Sequence, residues 1–181
     1  MSASPADRAS VKQGSPRTAT QDSLLLREVL QSISAQSCPK TYNFHMHTHC
    51  SDGQLSPADL MTQAVKIGLL GMAITDHHNI KGYRQARQWM EDWRWQNPSS
   101  WSRRKPNSTS KSKALPKLWT GVEVTSSLAN TDVHILGYAF RPGNEAMQPY
   151  LKGCAPKGED RQANNVIDAI HEAGGIEVLA H

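Results

Sequence analysis

The interpretation of this sequence starts from one segment, Phe44-His45-Met46-His47-Thr48-His49-Cys50-Ser51-Asp52-Gly53. Residues 41–47 have the pattern of a β-strand, in which residues two apart point to the same side. His45 and His47 therefore share one face, and Met46 points the opposite way, into the core. Asp52 stands at the mouth of the turn that follows. Imidazole together with carboxylate suits zinc, iron or manganese better than calcium or magnesium, so the segment predicts a metal site.

The composition indicates one domain of 181 residues with 38% hydrophobic and 20% charged residues. Three widely spaced cysteines, Cys38, Cys50 and Cys154, form neither a disulfide framework nor a CxxC zinc pattern. No apolar run is long enough to span a membrane, and the N-terminus lacks the apolar core of a signal peptide. We therefore expect a cytoplasmic protein.

The formal net charge is +4, and the excess is local: residues 94–117 contain seven Lys or Arg and no Asp or Glu. Such a stretch can attract polyanions. A solvated basic loop explains it as well, because no regular interleaving of aromatic residues accompanies the charges. Both interpretations stay open from the sequence alone.

The chain divides into four parts by composition. Residues 1–21 lack large apolar side chains and predict a disordered tail. Residues 22–38 predict a short helix, ended by Pro39 and packed outside the main domain. Residues 39–181 form the domain itself. Within it, residues 96–116 break every periodicity and predict a flexible insertion.

Strands and helices alternate along the domain. Ser56, Pro57 and Gly68 have the residue types that begin and end a helix. The predicted elements, in order, are a strand 41–47, a helix from 57 to 67, a strand 71–75, a helix 82–95, a strand 117–125, a strand 132–140, a helix 159–173 and a strand 176–180.

This alternation is typical of an α/β fold with parallel strands covered by helices, and either a barrel or an open sheet fits it. The connection between the third and fourth strands is too short for a parallel crossover. Asn130-Thr131-Asp132 therefore predicts a hairpin at that point.

Metal-binding side chains recur where the predicted strands end. In α/β folds the carboxyl ends of the strands are where loops converge on ligands. His134 would reach the same rim from the antiparallel strand of the hairpin. The candidates on this rim are His45, His47, Asp52, His77, Glu123, His134 and His181.

So many ligands in one place predict more than one metal ion. Two cations about 3.5–4 Å apart, bridged by a carboxylate, can activate water and bind a phosphoryl group. Phosphoester hydrolysis is the reaction that such a site serves most directly.

Six short motifs, in order and in strand context, carry a resemblance to a known family. They are His45-Met46-His47-Thr48, Ser51-Asp52-Gly53, Thr75-Asp76-His77 with Gly82, Gly121-Val122-Glu123, His134-Ile135-Leu136-Gly137-Tyr138 and Ala180-His181. Over residues 41–181 the chain resembles the PHP family, named for polymerase and histidinol phosphatase. The resemblance implies a distorted (β/α)7 barrel, TIM-like in character, that holds two or three divalent ions (Mn, Fe or Zn).

The resemblance also implies a role for each candidate. The ligands divide into His45 and His47 for the first metal, His134 and His181 for the second, Asp52 and His77 for the third, and Glu123 bridging the first two. Glu123 would thereby hold the attacking hydroxide.

Three further residues have implied roles outside the ligand set. Asp76 would orient its neighbours or the backbone turn without binding metal. Arg161 resembles the family's phosphate-contacting arginine, although a surface salt bridge is an equal alternative. His78 stands where the family usually has Asp, and we expect it to contact the substrate phosphate or to support a neighbour.

The family's last motif, Asp-x-His near the C-terminus, is absent from these 181 residues. We therefore expect the sequence to be the N-terminal part of a longer protein.

The subgroup that these motifs resemble acts on nucleotide phosphates and on the 5′ ends of short RNA or DNA, and includes 3′,5′-bisphosphate nucleotidases. Two alternatives stay open: a histidinol-phosphate phosphatase, and an inactive remnant or interaction module. The oligomeric state does not follow from the sequence.

Overall fold

The computed structural model describes residues 18–98 and 114–181, which form a mixed α/β fold with a parallel sheet. The helices are α1 Ser23–Ser32, α2 Pro57–Ile67, α3 Lys81–Gln96 and α4 Ala163–Glu172. The strands are β1 Tyr42–Asn43, β2 Gly71–Ala73, β3 Lys117–Trp119, β4 Gly121–Leu128, β5 Thr131–Tyr138 and β6 Ile176–Leu179. Most of the predicted tail and of the predicted insertion lies outside the described residues.

The first sheet contains β1, β2 and β3, in that order and all parallel. Its first strand is shorter than the predicted 41–47, because ladder pairing ends at Asn43. The chain beyond it stays attached to the sheet, since the Thr75 N–H donates to the Met46 carbonyl at 2.8 Å. The Met46 side chain packs against the core, as predicted.

The second sheet is antiparallel, in the order β4-β5-β6. The predicted hairpin is confirmed, and its loop is Ala129-Asn130, between the paired Leu128 and Thr131. Both loop residues have positive φ, 49° and 64°, which suits the right-handed twist of the flanking strands.

The prediction of one strand over 117–125 is wrong, because the chain leaves the first sheet at Thr120. The N–H of Thr120 donates to the carbonyl of Thr20 at 3.1 Å, so it is not available to a strand neighbour. The two sheets nevertheless join through a parallel bridge between His77 and Glu123. Strands β1, β2, β3, β4 and β6 therefore run in one direction, and β5 runs against them.

Helix α2 has the ends that its sequence predicts. The Ser56 side chain accepts from the Asp59 N–H, Pro57 is the first residue, and Gly68 ends the helix in the left-handed conformation, with φ of 87°.

Helix α4 begins at Ala163, four residues later than expected. Gln162 is extended and bridges Ser127, which separates the helix from a 3-10 turn at Gly158–Arg161.

Two apolar clusters lie on opposite faces of the strands. Met72, Leu118 and Ile135 contact the cluster that helices α2, α3 and α4 cover. Their strand neighbours Ala73, Trp119 and Leu136 belong to the second cluster, as expected for side chains that alternate along a strand. The second cluster occupies the same face of β5 as His134.

Helix α1 packs against this second cluster, not outside the domain as expected, and it ends at Ser32, well before Pro39. Leu26 is fully buried within the cluster. Residues 18–21, expected to be disordered, form a turn whose Thr20 accepts a hydrogen bond from the Tyr83 hydroxyl at 2.9 Å.

Among the described residues, none of the helices has both the length and the apolar composition needed to cross a membrane.

Leu26→Ala should lower the free energy of unfolding by about 2–5 kcal/mol, because it leaves a cavity between α1 and the strands. Leu24→Ala is the matched control on the same helix, since Leu24 is 73% exposed. Its expected effect is within about 0.5 kcal/mol. Urea unfolding measures both, and equal effects would show that α1 does not pack as described.

Candidate metal centre

The carboxylate of Glu123 lies at the middle of the histidine cluster. It is 1% exposed. Its Oε2 atom lies 2.8 Å from His45 Nε2 and 2.8 Å from His47 Nε2, and its Oε1 atom lies 2.6 Å from His134 Nδ1. Each oxygen thus faces a different set of imidazoles, as required of a carboxylate that bridges two ions.

The strand register explains how these side chains meet. Glu123 on β4 pairs with Leu136, and His134 pairs with Thr125. Glu123 and His134 are therefore diagonal neighbours on one face of the hairpin, within reach of each other. His45 and His47 come from the loop after β1, and His77 follows β2 at the bridge to Glu123.

Three groups of side chains place their ligand atoms within 4.8 Å of one another, and they overlap: His45, His47 and Glu123; His47, Asp52 and His77; His77, Glu123 and His134. The Nε2 atoms of His45 and His47 are 3.1 Å apart. Nitrogens about 2.0–2.1 Å from a tetrahedral ion are separated by roughly 3.3 Å, so this spacing suits a shared cation.

The contact between His47 and Asp52 also fits a cation. His47 Nδ1 lies 2.9 Å from Asp52 Oδ1, and His77 Nε2 lies 3.5 Å from Asp52 Oδ2. The distance to His47 is short but the angle is not that of a hydrogen bond. This buried nitrogen therefore has no hydrogen-bond partner within residues 18–98 and 114–181. Buried polar atoms are normally satisfied, and an ion beside Asp52 would satisfy this one.

His181 lies beside the cluster but outside the three groups. Its ring centroid is 4.6 Å from that of His134 and 6.5 Å from that of His45. The carbonyl of His181 accepts from the His134 N–H at 2.9 Å, which holds the residue beside the first half of β5. The structure thus brings six of the seven predicted ligands into shared groups and places the seventh next to them.

The electrostatics of the centre keep Glu123 ionised. Burial opposes its charge, but hydrogen bonds from His47, His45 and His134 outweigh burial and hold the pKa of the carboxyl well below its usual range. The same hydrogen bond to Glu123 raises the pKa of His47 against the effect of burial. Since a metal ligand must be deprotonated, metal binding at His47 would compete with protonation of its ring.

Asp76 lies in the loop network and belongs to none of the three ligand groups of the described residues. It is buried, and it accepts from the Thr48 N–H at 2.6 Å, the Thr48 hydroxyl at 2.8 Å and the Ser51 hydroxyl at 2.8 Å. A Cβ at Gly82 would lie 2.0 Å from Asp76 Oδ2, so only glycine fits there. Sequence reasoning missed Thr48 and Ser51, whose only signal was their position between candidate ligands.

The two predicted substrate contacts differ in their surroundings. The Nη2 atom of Arg161 donates to both carboxylate oxygens of Asp132, each at 2.7 Å. The salt bridge named as its alternative is therefore present. His78 is buried beside His77, with a left-handed φ of 54°. Burial, with the charges of His77 and His134, lowers the pKa of His78 to about 4.

His47→Ala should lower the affinity for Mn²⁺ by at least about 100-fold, because His47 belongs to two of the three ligand groups. Calorimetric titration of the protein, checked by elemental analysis, measures the affinity and the stoichiometry.

His171→Ala is the matched control, since His171 pairs with Glu177 on another part of the surface. Its expected metal affinity is that of the unaltered protein. Equal metal binding by both variants would contradict the assignment of the centre.

Comparison with known proteins agrees with this geometry. The family model of the PHP domain matches residues 43–136, just over half of the chain. The chain is 30% identical over 128 residues to the 5′-3′ exoribonuclease Rnm of Salmonella typhimurium, which is 71% of this chain and 36% of that protein. It is 27% identical over 135 residues to the 5′-3′ exoribonuclease of Haemophilus influenzae, which is 75% of this chain and 41% of that protein. The chain thus spans well under half the length of these relatives.

Two solved structures share the fold. A protein from Bifidobacterium adolescentis, provisionally described as a metal-dependent phosphoesterase, superposes with a TM-score of 0.58 at 20% identity, covering 79% of this chain and 67% of that one. An amidohydrolase from Chromobacterium violaceum superposes with a TM-score of 0.55 at 18% identity, covering 78% and 66%. The match of the family model over residues 43–136, which contain six of the seven predicted ligands, shows that the chain belongs to the PHP domain family.

Proposed function

We propose that this chain is the metal-binding part of a phosphoesterase that hydrolyses phosphate esters of nucleotides or short oligonucleotides. One observation carries the proposal: a buried carboxylate, Glu123, whose two oxygens face different imidazoles. A carboxylate in that position can bridge two divalent ions. The ions would supply a water of lowered pKa and neutralise charge on the phosphoryl oxygens.

The number and the types of the side chains in the centre suit two or three divalent metal ions. His45 and His47 would hold one ion and His134, with His181 beside it, would hold the second. Asp52 and His77 would hold a third. A neutral imidazole offers one lone pair, so His47 serves only one ion although both its nitrogens face carboxylates.

The charge balance favours an anionic substrate. Glu123 and Asp52 together contribute two negative charges among the three groups, and the remaining members are imidazoles. Two or three divalent ions would leave the centre positive. A positive site of this kind attracts phosphate esters more strongly than neutral amides or esters.

Two other residues are proposed to contact the substrate. The ring Nδ1 of His78 is buried and has no hydrogen-bond partner in the described part of the chain, so His78 would have to become exposed before it donates to a phosphate or a ribose hydroxyl. Arg161 would have to leave Asp132 before it contacts a phosphate.

The fold is also part of the proposal. The strands that run in one direction, with helices on one face and the candidate ligands near their carboxyl ends, support the first units of a (β/α)7 barrel. The exoribonuclease relatives at about 30% identity support a nucleic-acid end or a nucleotide as substrate.

Glu123→Gln should reduce Mn²⁺-dependent phosphate release by at least about 100-fold, because the amide cannot bridge two ions. The assay uses nucleoside 3′,5′-bisphosphates, a 5′-phosphorylated trinucleotide and histidinol phosphate. We expect the nucleotide substrates to be hydrolysed faster than histidinol phosphate.

Glu177→Gln is the control for this substitution, because Glu177 is a surface carboxylate paired with His171. It should leave the rate unchanged. Full activity of Glu123→Gln would overturn the mechanism, and faster hydrolysis of histidinol phosphate would overturn the substrate class.

A further inference from the structure

Half of the cations and most of the tryptophans of this chain lie in one stretch. Residues 81–117 contain ten Lys or Arg, two Asp or Glu, and four of the five Trp residues. The rest of the chain contains ten cations and fourteen acids. The candidate metal centre uses none of these tryptophans, so their concentration beside the cations needs another explanation.

Two of the tryptophans line a groove between α2 and α3. Trp89 and Trp93 are four residues apart on α3, so they lie on the same side of the helix. They face Thr62, Val65 and Lys66 of α2 across a groove of about 260 Å³. We call these five residues the tryptophan groove. Trp95, at the end of the same helix, is 83% exposed.

One exposed cation lies in the groove, and another lies on the helix that carries the two tryptophans. Lys66 lines the groove and is exposed, as is Arg94 on α3. The two acids of the helix are engaged on their own element: Glu91 contacts Arg87 at 3.7 Å, and Asp92 accepts from the Gln88 amide at 2.9 Å.

We propose that the tryptophan groove docks the single-stranded part of an oligonucleotide. Indole rings stack on bases of any sequence, and Lys or Arg beside them contact the phosphates. The proposal rests on the proposed function, since it concerns a substrate that reaches the same metal centre. It extends that function to a second contact, remote from the reacting phosphate.

The position of the groove fits such a substrate. Helix α3 begins at Lys81, directly after the His77-His78 turn of the metal centre. At about 1.5 Å per residue, Trp93 lies roughly 18 Å along the helix from that start. About five nucleotides, stacked at 3.4 Å each, span that distance.

A nucleic acid fits the groove better than a second protein chain. Five side chains line it, whereas a stable protein interface takes about 20–30 residues from each partner. Helix α3 contains four Lys or Arg and two Asp or Glu, and Lys66 adds a cation in the groove, so the charge of the described residues here also matches a polyanion.

Fluorescence anisotropy of a labelled single-stranded 12-mer RNA, measured with EDTA present, tests docking without hydrolysis. Trp93→Ala should weaken binding by about 5- to 100-fold, through loss of base stacking. Trp93→Phe, which keeps an aromatic face, should restore part of the affinity. Lys66→Gln should lower the salt dependence of binding by about one phosphate contact.

Controls separate the groove from general surface effects. Ile67→Ala removes an exposed apolar side chain of α2 outside the groove, and Arg27→Gln removes an exposed cation of α1, which packs on the opposite face of the strands. Neither should change the affinity. Trp93→Ala should also leave phosphate release from a mononucleotide bisphosphate unchanged, and its melting temperature shows whether it folds.

Each outcome has one meaning. Unchanged affinity of Trp93→Ala, or no binding of the 12-mer by the unaltered protein, overturns the docking proposal. A dimer in sedimentation that Trp93→Ala dissociates would assign the groove to a second copy and also overturn it. Binding that depends on Trp93 in a protein without phosphatase activity would retain the docking site and reject the proposed function.

Discussion

A carboxylate without access to water must be compensated, and Glu123 is such a group. Removing an ionised carboxylate from water is costly unless charges or donors replace the lost hydration. Three imidazoles from two separate parts of the chain do so here: His45 and His47 from the loop after β1, and His134 from the antiparallel strand β5. The meeting of these elements around one buried charge defines the rim of the sheet and places the other candidate ligands on it.

A second buried carboxylate, that of Asp76, holds the loop that carries the first histidines. Asp76, at the end of β2, accepts three hydrogen bonds from Thr48 and Ser51. These bonds hold the segment between His47 and Asp52 against the turn that carries His77. Gly82 lies so close to Asp76 that a side chain at position 82 would collide with the carboxylate. The two carboxylates thus have different roles. Glu123 contacts the imidazoles of the candidate ligands, and Asp76 holds in place the backbone of the loop that carries the first histidines.

Local sequence signals predicted the elements whose ends are decided locally. Ser56, Pro57 and Gly68 gave the limits of α2, and the short connection near Asn130 gave the hairpin. The periodicity did not reveal the break at Thr120, because a hydrogen bond to the distant Thr20 causes it.

Long-range contacts also decide the other differences. Gln162 is extended because it bridges Ser127, and α1 packs against the domain because Leu26 completes the cluster around Trp119. The candidate ligands could be predicted from the sequence because their residue types recur at or just after predicted strands, although Glu123 and His134 lie within β4 and β5 and not at their ends. Which of these ligands share a group could not be predicted, because this depends on how far each side chain reaches around Glu123.

Anomalous X-ray diffraction from crystals grown with Mn²⁺ tests the central claim most directly, since it locates each ion independently of activity. The account predicts a peak on each side of the Glu123 carboxylate, one beside His45 and His47 and one beside His134, with ligand distances of about 2.0–2.2 Å. Mn²⁺ bound in stoichiometric amount with no peak in contact with Glu123 would contradict it.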